Sequence, residues 1–273
     1  MVRKWQQPLS LVQKGIYRLI HPQAIVDPKA ELAPDVEVGP FTYIGPGVEI
    51  DSGSVINSHV CLKGPTKIGK RNRIFQFASV GEDCQDKKYA GEPTSLEIGD
   101  DNQIRECATI HRGTIQDEGV TRIGNRNLIM SYVHIAHDCV IGDDNTFVNN
   151  ATLAGRVHVD HHVIMAGFSG AHQFCRLGAY SMLGKGALTA KDVPAFLMVA
   201  GNPAKPTGMN FEGMRRRGYS KETISMLKEA YKIIYMRGLK LNEAMAQLEA
   251  KPHDELLQLF IDSIKASTRG IAR

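Results

Sequence analysis

The chain has 273 residues, 42% hydrophobic and 23% charged, with a formal net charge of +4, which fits one large soluble domain or two small ones. Aromatic residues supply only 7% against 26 glycines, so the core reads as aliphatic with many turns, and an aromatic-rich base-stacking nucleic-acid module is disfavoured. No apolar run approaches the roughly 20 residues of a bilayer span, and the basic start lacks a signal-peptide cleavage pattern, so a cytoplasmic protein with no transmembrane segment is expected.

Residues 1–20 form an N-terminal extension. From Val26 an aliphatic residue recurs every six positions, through Leu32, Val38, Ile44, Ile50 and onward to Val80. The phase resumes over Ile98, Ile104 and Ile110, then again from Ile123 to Leu183. Two residues before each aliphatic the side chain is usually small or β-branched, as at Thr42, Ser54, Ala78, Cys139 and Ala151. A period of six fits neither a helix nor a half-buried strand. It fits short strands joined by tight turns, three to a triangular coil of 18 residues, with paired backbones about 4.8 Å apart. The repeats predict a parallel β-helix of about eight coils, roughly 40 Å tall. The pattern resembles the hexapeptide-repeat family, and that resemblance implies left-handed winding and a homotrimer.

Two interruptions predict loops. Continuing the phase past Val80 would drive Asp86 and Glu92 into a narrow aliphatic core, where an unpaired carboxylate is very costly, so residues 82–96 must bulge outward. Gln116 breaks the count again and assigns 114–120 to a second loop. The Gly/Pro-rich stretch Gly201–Gly208 closes the β-helix of residues 21–207 and opens a C-terminal α-helical domain at 208–273. In that domain Ser220 caps a helix carrying Ile224, Leu227, Tyr231 and Ile234; a second helix covers Asn242–Ala250, and Asp254 caps a third through Leu256, Phe260 and Ile264. Lys and Arg outnumber Asp and Glu by 12 to 8 in this quarter and are balanced at 21 each before it. It offers a basic surface to an acidic partner.

Eighteen-residue stacking places His137, Gly155 and Gln173 above one another on one edge, with Asp138 beside His137 and Arg156 one coil above it. A histidine with an adjacent carboxylate can serve as general base, and an outward glycine N–H can stabilise an oxyanion. His134, His137, His158, His161, His162 and His172 also suffice for a metal site of the kind shared between subunits in hexapeptide-repeat carbonic anhydrases. Five cysteines, odd in number and without CxxC, indicate neither a disulfide framework nor a cysteine zinc site.

The segments QFASVGEDCQDKKYAGEPT (76–94), TIHRGT (109–114), HIAHDC (134–139), NNATLAG (149–155), HQFC (172–175), NFEGMRRRG (210–218) and STRGIAR (267–273) resemble the bacterial UDP-N-acetylglucosamine 3-O-acyltransferases, from about His21 to the end. The resemblance implies transfer of an (R)-3-hydroxyacyl group from acyl carrier protein to the sugar 3-hydroxyl, the first step of lipid A synthesis, with no cofactor or metal. It makes His137 the base, Asp138 its orienting partner and the Gly155 N–H the oxyanion donor. It places Gln85, Asp86, Lys88 and His134 at the sugar and acyl hydroxyl, His172 and Gln173 further along the substrate site, and Asn210, Glu212, Arg216 and Arg217 at the nucleotide end. Arg156 and Pro203 stand where the family often has His, and Lys185 stands where long-chain members have Gly, which predicts a shortened acyl groove. A 3-amino sugar acceptor would be served by the same base and donor. A relative that acylates a 2-amine is expected to carry an extra N-terminal domain, for which residues 1–20 leave no room. A zinc enzyme and a non-enzymatic carrier-binding scaffold are the remaining alternatives.

Overall fold

The computed structural model describes residues 19–252 and 254–273; the expected extension at 1–20 lies almost wholly outside them. The described residues form three sheets of nine, eight and ten strands, parallel except for the last strand of the third, wound as a left-handed β-helix. Most strands are two or three residues long, because each side of the triangle admits only a short extended segment before the chain turns. Ile44, Leu62, Val80, Ile110, Ile135 and Leu153 stack on one side of the prism with no exposure, which is the hexad periodicity realised as a core. Non-glycine residues with φ near +60°, among them Asp138, Arg156 and Phe174, turn the corners. Each such turn is tied to the coil below, as where Arg156 N donates to His137 O at 2.9 Å.

Register records the insertions. Cys61 pairs with Ser79, a step of 18, but Ser79 pairs with Thr109, a step of 30, and Thr109 with His134, a step of 25. From His134 to Thr152 the step of 18 returns. The extra chain leaves the prism between the strands Ser79–Glu82 and Ser95–Ile98, and between Thr109–His111 and Val120–Ile123. Val120, read as loop, starts a strand, since its side chain is buried and Ser95 is its paired neighbour.

Asparagine breaks the small-residue rule inside the corners. Asn72, Asn102 and Asn127 are buried in a ladder: Asn102 Nδ2 donates to Asn72 Oδ1 at 3.1 Å and to Gly124 O at 2.9 Å, and Asn127 Nδ2 donates to Asn102 Oδ1 at 3.0 Å. Each amide satisfies corner carbonyls and N–H groups that the short strands leave unpaired.

The last strand, Lys205–Met209, runs antiparallel to Leu197–Ala200, so the 207/208 boundary falls within a strand and helix begins only at Phe211. Four helices follow: α1 (Phe211–Arg216), α2 (Lys221–Tyr235), α3 (Leu241–Glu249) and α4 (Glu255–Lys265). Helix α1 was not anticipated, because six residues carry too little periodicity. Ser220 and Asp254 are the N-caps of α2 and α4, accepting from Thr223 N at 3.0 Å and Leu257 N at 2.9 Å. Leu227, Ile234, Leu248, Leu257 and Phe260 form a second core that meets the last coil at Phe196. The C-terminal segment seals the top: buried Asp192 accepts from Ser267 Oγ at 2.6 Å and Thr268 N at 3.1 Å.

Candidate active site

The turn after the strand His134–Ile135 carries His137 and Asp138. His137 Nδ1 lies 2.8 Å from Asp138 Oδ2, and the two side chains are 17% and 2% exposed. Such a carboxylate needs further donors. The second insertion supplies them: Thr114 donates its backbone N–H to Asp138 Oδ1 at 2.7 Å and its hydroxyl to Oδ2 at 2.6 Å. Burial pushes the Asp138 carboxyl up, but the hydrogen bonds from His137 and Thr114 outweigh it and leave it below the usual carboxylate range. An ionised Asp138 holds the Nδ1–H tautomer of His137 and leaves Nε2 with a free lone pair.

That lone pair faces the coil above. A β-carbon built on Gly155 would lie 2.5 Å from both Nε2 and Cε1 of His137, so the ring fills the space that glycine leaves. The Gly155 N–H makes no hydrogen bond among the described residues. Arg156 reaches back over the pair, with Nε 3.3 Å from Asp117 and 3.9 Å from Asp138.

Below His137, His134 Nδ1 sits 2.8 Å from Thr109 Oγ1, and its ring meets His111 edge-on at 5.1 Å. Burial, reinforced by the neighbouring His134, pushes His111 down to about 4. Burial and His137 lower His134 as well. The side-chain amide of Gln85 stands 3.5 Å from His111 Nε2. The first insertion thus closes over the site, carrying Gln85, Asp86 and Lys88, all exposed. Buried Arg112 anchors it, donating to Gly81 O, to Asp83 and, at 3.2 Å, to Tyr89 OH.

The other expected residues are farther away. Exposed His172 and Gln173 lie on the same edge above Gly155, beside a groove of about 350 Å³ lined by Thr152, Gly170, Leu188 and Pro203. Lys185 is exposed in the turn that leads into the strand Leu188–Thr189 at that groove. Asn210, Glu212, Arg216 and Arg217 sit on a different edge. Asn210 is buried as the N-cap of α1, accepting from Gly213 N at 3.0 Å and donating to Tyr180 O at 3.2 Å. Glu212 pairs with Arg216 at 3.2 Å, and Arg217 lies 5.2 Å over the Tyr180 ring. One chain therefore brings Gln85, Asp86, His134, His137, Asp138 and Gly155 together and leaves the arginines apart.

Sequence reasoning missed Thr114, His111 and Arg112 as members of the site. Their signal was TIHRGT, whose alternation breaks after Ile110. Among the described residues no three of His, Cys, Asp and Glu are grouped to hold a metal ion.

Comparison with known proteins sharpens this picture. The family described as "UDP N-acetylglucosamine O-acyltransferase; domain 2" matches residues 192–272, and "bacterial transferase hexapeptide (six repeats)" matches 121–155. The chain is 57% identical over 212 residues to the acyl-[acyl-carrier-protein]–UDP-N-acetylglucosamine O-acyltransferase of Stutzerimonas stutzeri, covering 77% of this chain and 82% of the relative. With the protein of that name from Thiobacillus denitrificans it shares 56% identity over 205 residues, covering 74% and 79%. Among solved structures, the UDP-N-acetylglucosamine O-acyltransferase of Moraxella catarrhalis superposes with a TM-score of 0.90 at 53% identity, covering 93% of this chain and all of that one. The UDP-N-acetylglucosamine acyltransferase of Francisella novicida gives 0.91 at 45% identity, covering 93% and 94%.

Proposed function

The chain belongs to the acyl-[acyl-carrier-protein]–UDP-N-acetylglucosamine O-acyltransferase family, and from that premise we propose how its residues divide the work. The reaction is acyl-carrier-dependent acylation of UDP-N-acetylglucosamine in lipid A biosynthesis. His137 takes the proton of the sugar 3-hydroxyl on Nε2, and the freed oxygen attacks the thioester carbonyl of an (R)-3-hydroxyacyl chain. Negative charge moves to the carbonyl oxygen, where the unpaired N–H of Gly155 receives it. The intermediate expels the carrier thiolate, which recovers the proton from the imidazolium. Asp138 stays ionised throughout and stabilises that cation. These steps ask for no cofactor beyond the phosphopantetheine that delivers the acyl group.

The observation that carries this reading is the junction of His137, Asp138 and Gly155: an oriented base whose free nitrogen adjoins an unpaired backbone donor. Gln85, Asp86 and Lys88 on the first insertion, with His134, hold the sugar and the acyl hydroxyl. The acyl chain runs up past His172 and Gln173 along the Thr152–Gly170–Leu188 groove. Lys185 shortens its reach. Arg216 and Arg217, with Glu212 and Asn210, bind the nucleotide diphosphate of a neighbouring protomer's substrate, since within one chain they occupy another edge. The protein works as a homotrimer on this reading. The cleft of Arg215, Tyr219, Lys221 and Lys228 on the helical domain receives acidic acyl carrier protein. No helix among the described residues is long and apolar enough to cross a membrane, and we place the protein in the cytoplasm with its carrier.

Mass spectrometry of products from UDP-N-acetylglucosamine, or its 3-amino analogue, with a ladder of 3-hydroxyacyl carriers tests the reading. His137→Ala is expected to lower turnover at least about 100-fold with nucleotide-sugar binding intact; a loss below tenfold overturns the base assignment. Lys185→Gly is expected to extend the accepted chain length, and an unchanged ladder removes its proposed role.

A further inference from the structure

Arg156 lies on the turn one coil above the His137–Asp138 pair, 23% exposed, with its guanidinium carbon 5.2 Å over the Phe174 ring. Its Nε is buried and makes no hydrogen bond, yet it stands 3.3 Å from Asp117 Oδ2 and 3.9 Å from Asp138 Oδ2. That same Asp138 oxygen accepts from Thr114 Oγ1 and faces His137 Nδ1. The contact is one of charge rather than of a directed bond. It also joins two segments: Asp117 and Thr114 both belong to the second insertion, whereas Asp138 belongs to the coil.

We propose that Arg156 is a positioning residue for the base: its cation clamps the second insertion onto Asp138 and stands as a charge beside the His137–Asp138 pair, so that its removal alters how the pair holds its proton. The proposal rests on the assignment of His137 as base. The groups around the His137–Asp138 pair are Arg156 above, Asp117 and Thr114 on the second insertion, His134 on its strand, His111 on the strand below, and Cys84, which faces Asp138, on the first insertion. His111 and His134 are both shifted toward the neutral form, by burial first and by neighbouring histidines second. Arg112 is tied to Asp83 on the first insertion. Arg156 approaches the pair to 3.9 Å, at Asp138 Oδ2.

The sign follows from electrostatics. Removing a nearby cation favours the imidazolium and moves the acid limb of activity to higher pH, whereas removing Asp117 leaves the cation less neutralised and moves the limb to lower pH. For Arg156→Gln the expected shift is upward by about one unit, so kcat/KM falls about tenfold below the limb and is unchanged above it. Arg156→Lys is expected to restore the limb, and Asp117→Asn to move it the other way.

Two readouts are taken on the full chain: the pH profile of kcat/KM with acyl carrier thioester and UDP-N-acetylglucosamine, and the pH midpoint of His137 modification by diethyl pyrocarbonate, read by peptide mass spectrometry. The labelling midpoint needs no turnover. A wild-type protein that transfers no acyl group would defeat the functional reading while the labelling still decides this one. A loss of activity uniform across pH, or a labelling midpoint unmoved in Arg156→Gln, overturns the proposal. If Arg156→Gln is recovered unfolded, Asp117→Asn decides, and an unmoved midpoint there has the same force.

Discussion

The imidazole of His137 occupies the space that a side chain on Gly155 would need: a β-carbon there would lie 2.5 Å from Nε2 and Cε1. His137 and Gly155 come from consecutive coils, so their fit is a property of the stack and not of either turn. Gly155→Ala should displace the ring by about 1 Å and lower kcat roughly 100-fold, with little change in thermal unfolding. Steady-state kinetics beside a melting curve would show it; normal kcat would mean that the ring has another position to occupy.

Arg112 ties the first insertion to the prism through Gly81 O, Asp83 and Tyr89. Replacing it with methionine keeps the apolar stem and removes the donors. The loop bearing Gln85, Asp86 and Lys88 should then loosen, raising KM for the nucleotide sugar about tenfold with a smaller effect on kcat. Limited proteolysis offers an independent check, with first cleavage expected at Lys87 or Lys88 in the variant.

His111 is 4% exposed, and burial lowers it to about 4, so the folded protein binds this proton less readily than the unfolded chain does. Its stabilising contribution is complete above the unfolded value near 6.5 and is lost as pH falls toward 4. The loss amounts to about 3 kcal/mol per chain across that window. Urea unfolding at pH 7 and pH 4.5 should show the decline, and His111→Gln should flatten it relative to wild type. Asp138, whose carboxyl is lowered despite its burial, acts in a different window, its contribution disappearing only below the ordinary carboxylate range.

The asparagine ladder predicts a stability effect far from the chemistry. Asn102→Ala would strand the Asn127 backbone N–H, one side-chain N–H of Asn127 and Gly124 O in the core, at a cost of about 3 kcal/mol, while Asn72 Oδ1 keeps the Asn102 backbone N–H. Asn102→Leu should be no better, because the orphaned partners remain. Equilibrium unfolding would decide; a change under 1 kcal/mol would mean that the corner rearranges to satisfy them.

How far the sequence could be read depended on the scale of the interaction. The hexads that end in Ile44, Ile135 and Leu153 reported the prism because inward stacking is periodic and each repeat carries the same instruction. Carboxylates falling in phase at Asp86 and Glu92 reported the first insertion, because a dry core rejects them. Thr114, His111 and Arg112 were not legible as site residues: each acts through a partner 23 to 31 residues away in the chain, brought near by register steps of 30 and 25. The role of the buried asparagines was not legible, since a sequence does not show which corner carbonyls lack a donor.

By itself the sequence determined a six-residue rhythm, the two places where the rhythm must leave the core, and a helical tail with its caps at Ser220 and Asp254. Those follow from local burial and local hydrogen bonding. Tertiary structure alone decided that hydrogen bonds from His137 and Thr114 hold the buried Asp138 carboxyl below the usual carboxylate range, that Gly155 makes room for His137, and that Arg216 and Arg217 stand on an edge away from His137. The physical reason is that stacking turns separation along the chain into contact only after insertions, winding and corner geometry have together set which atoms meet.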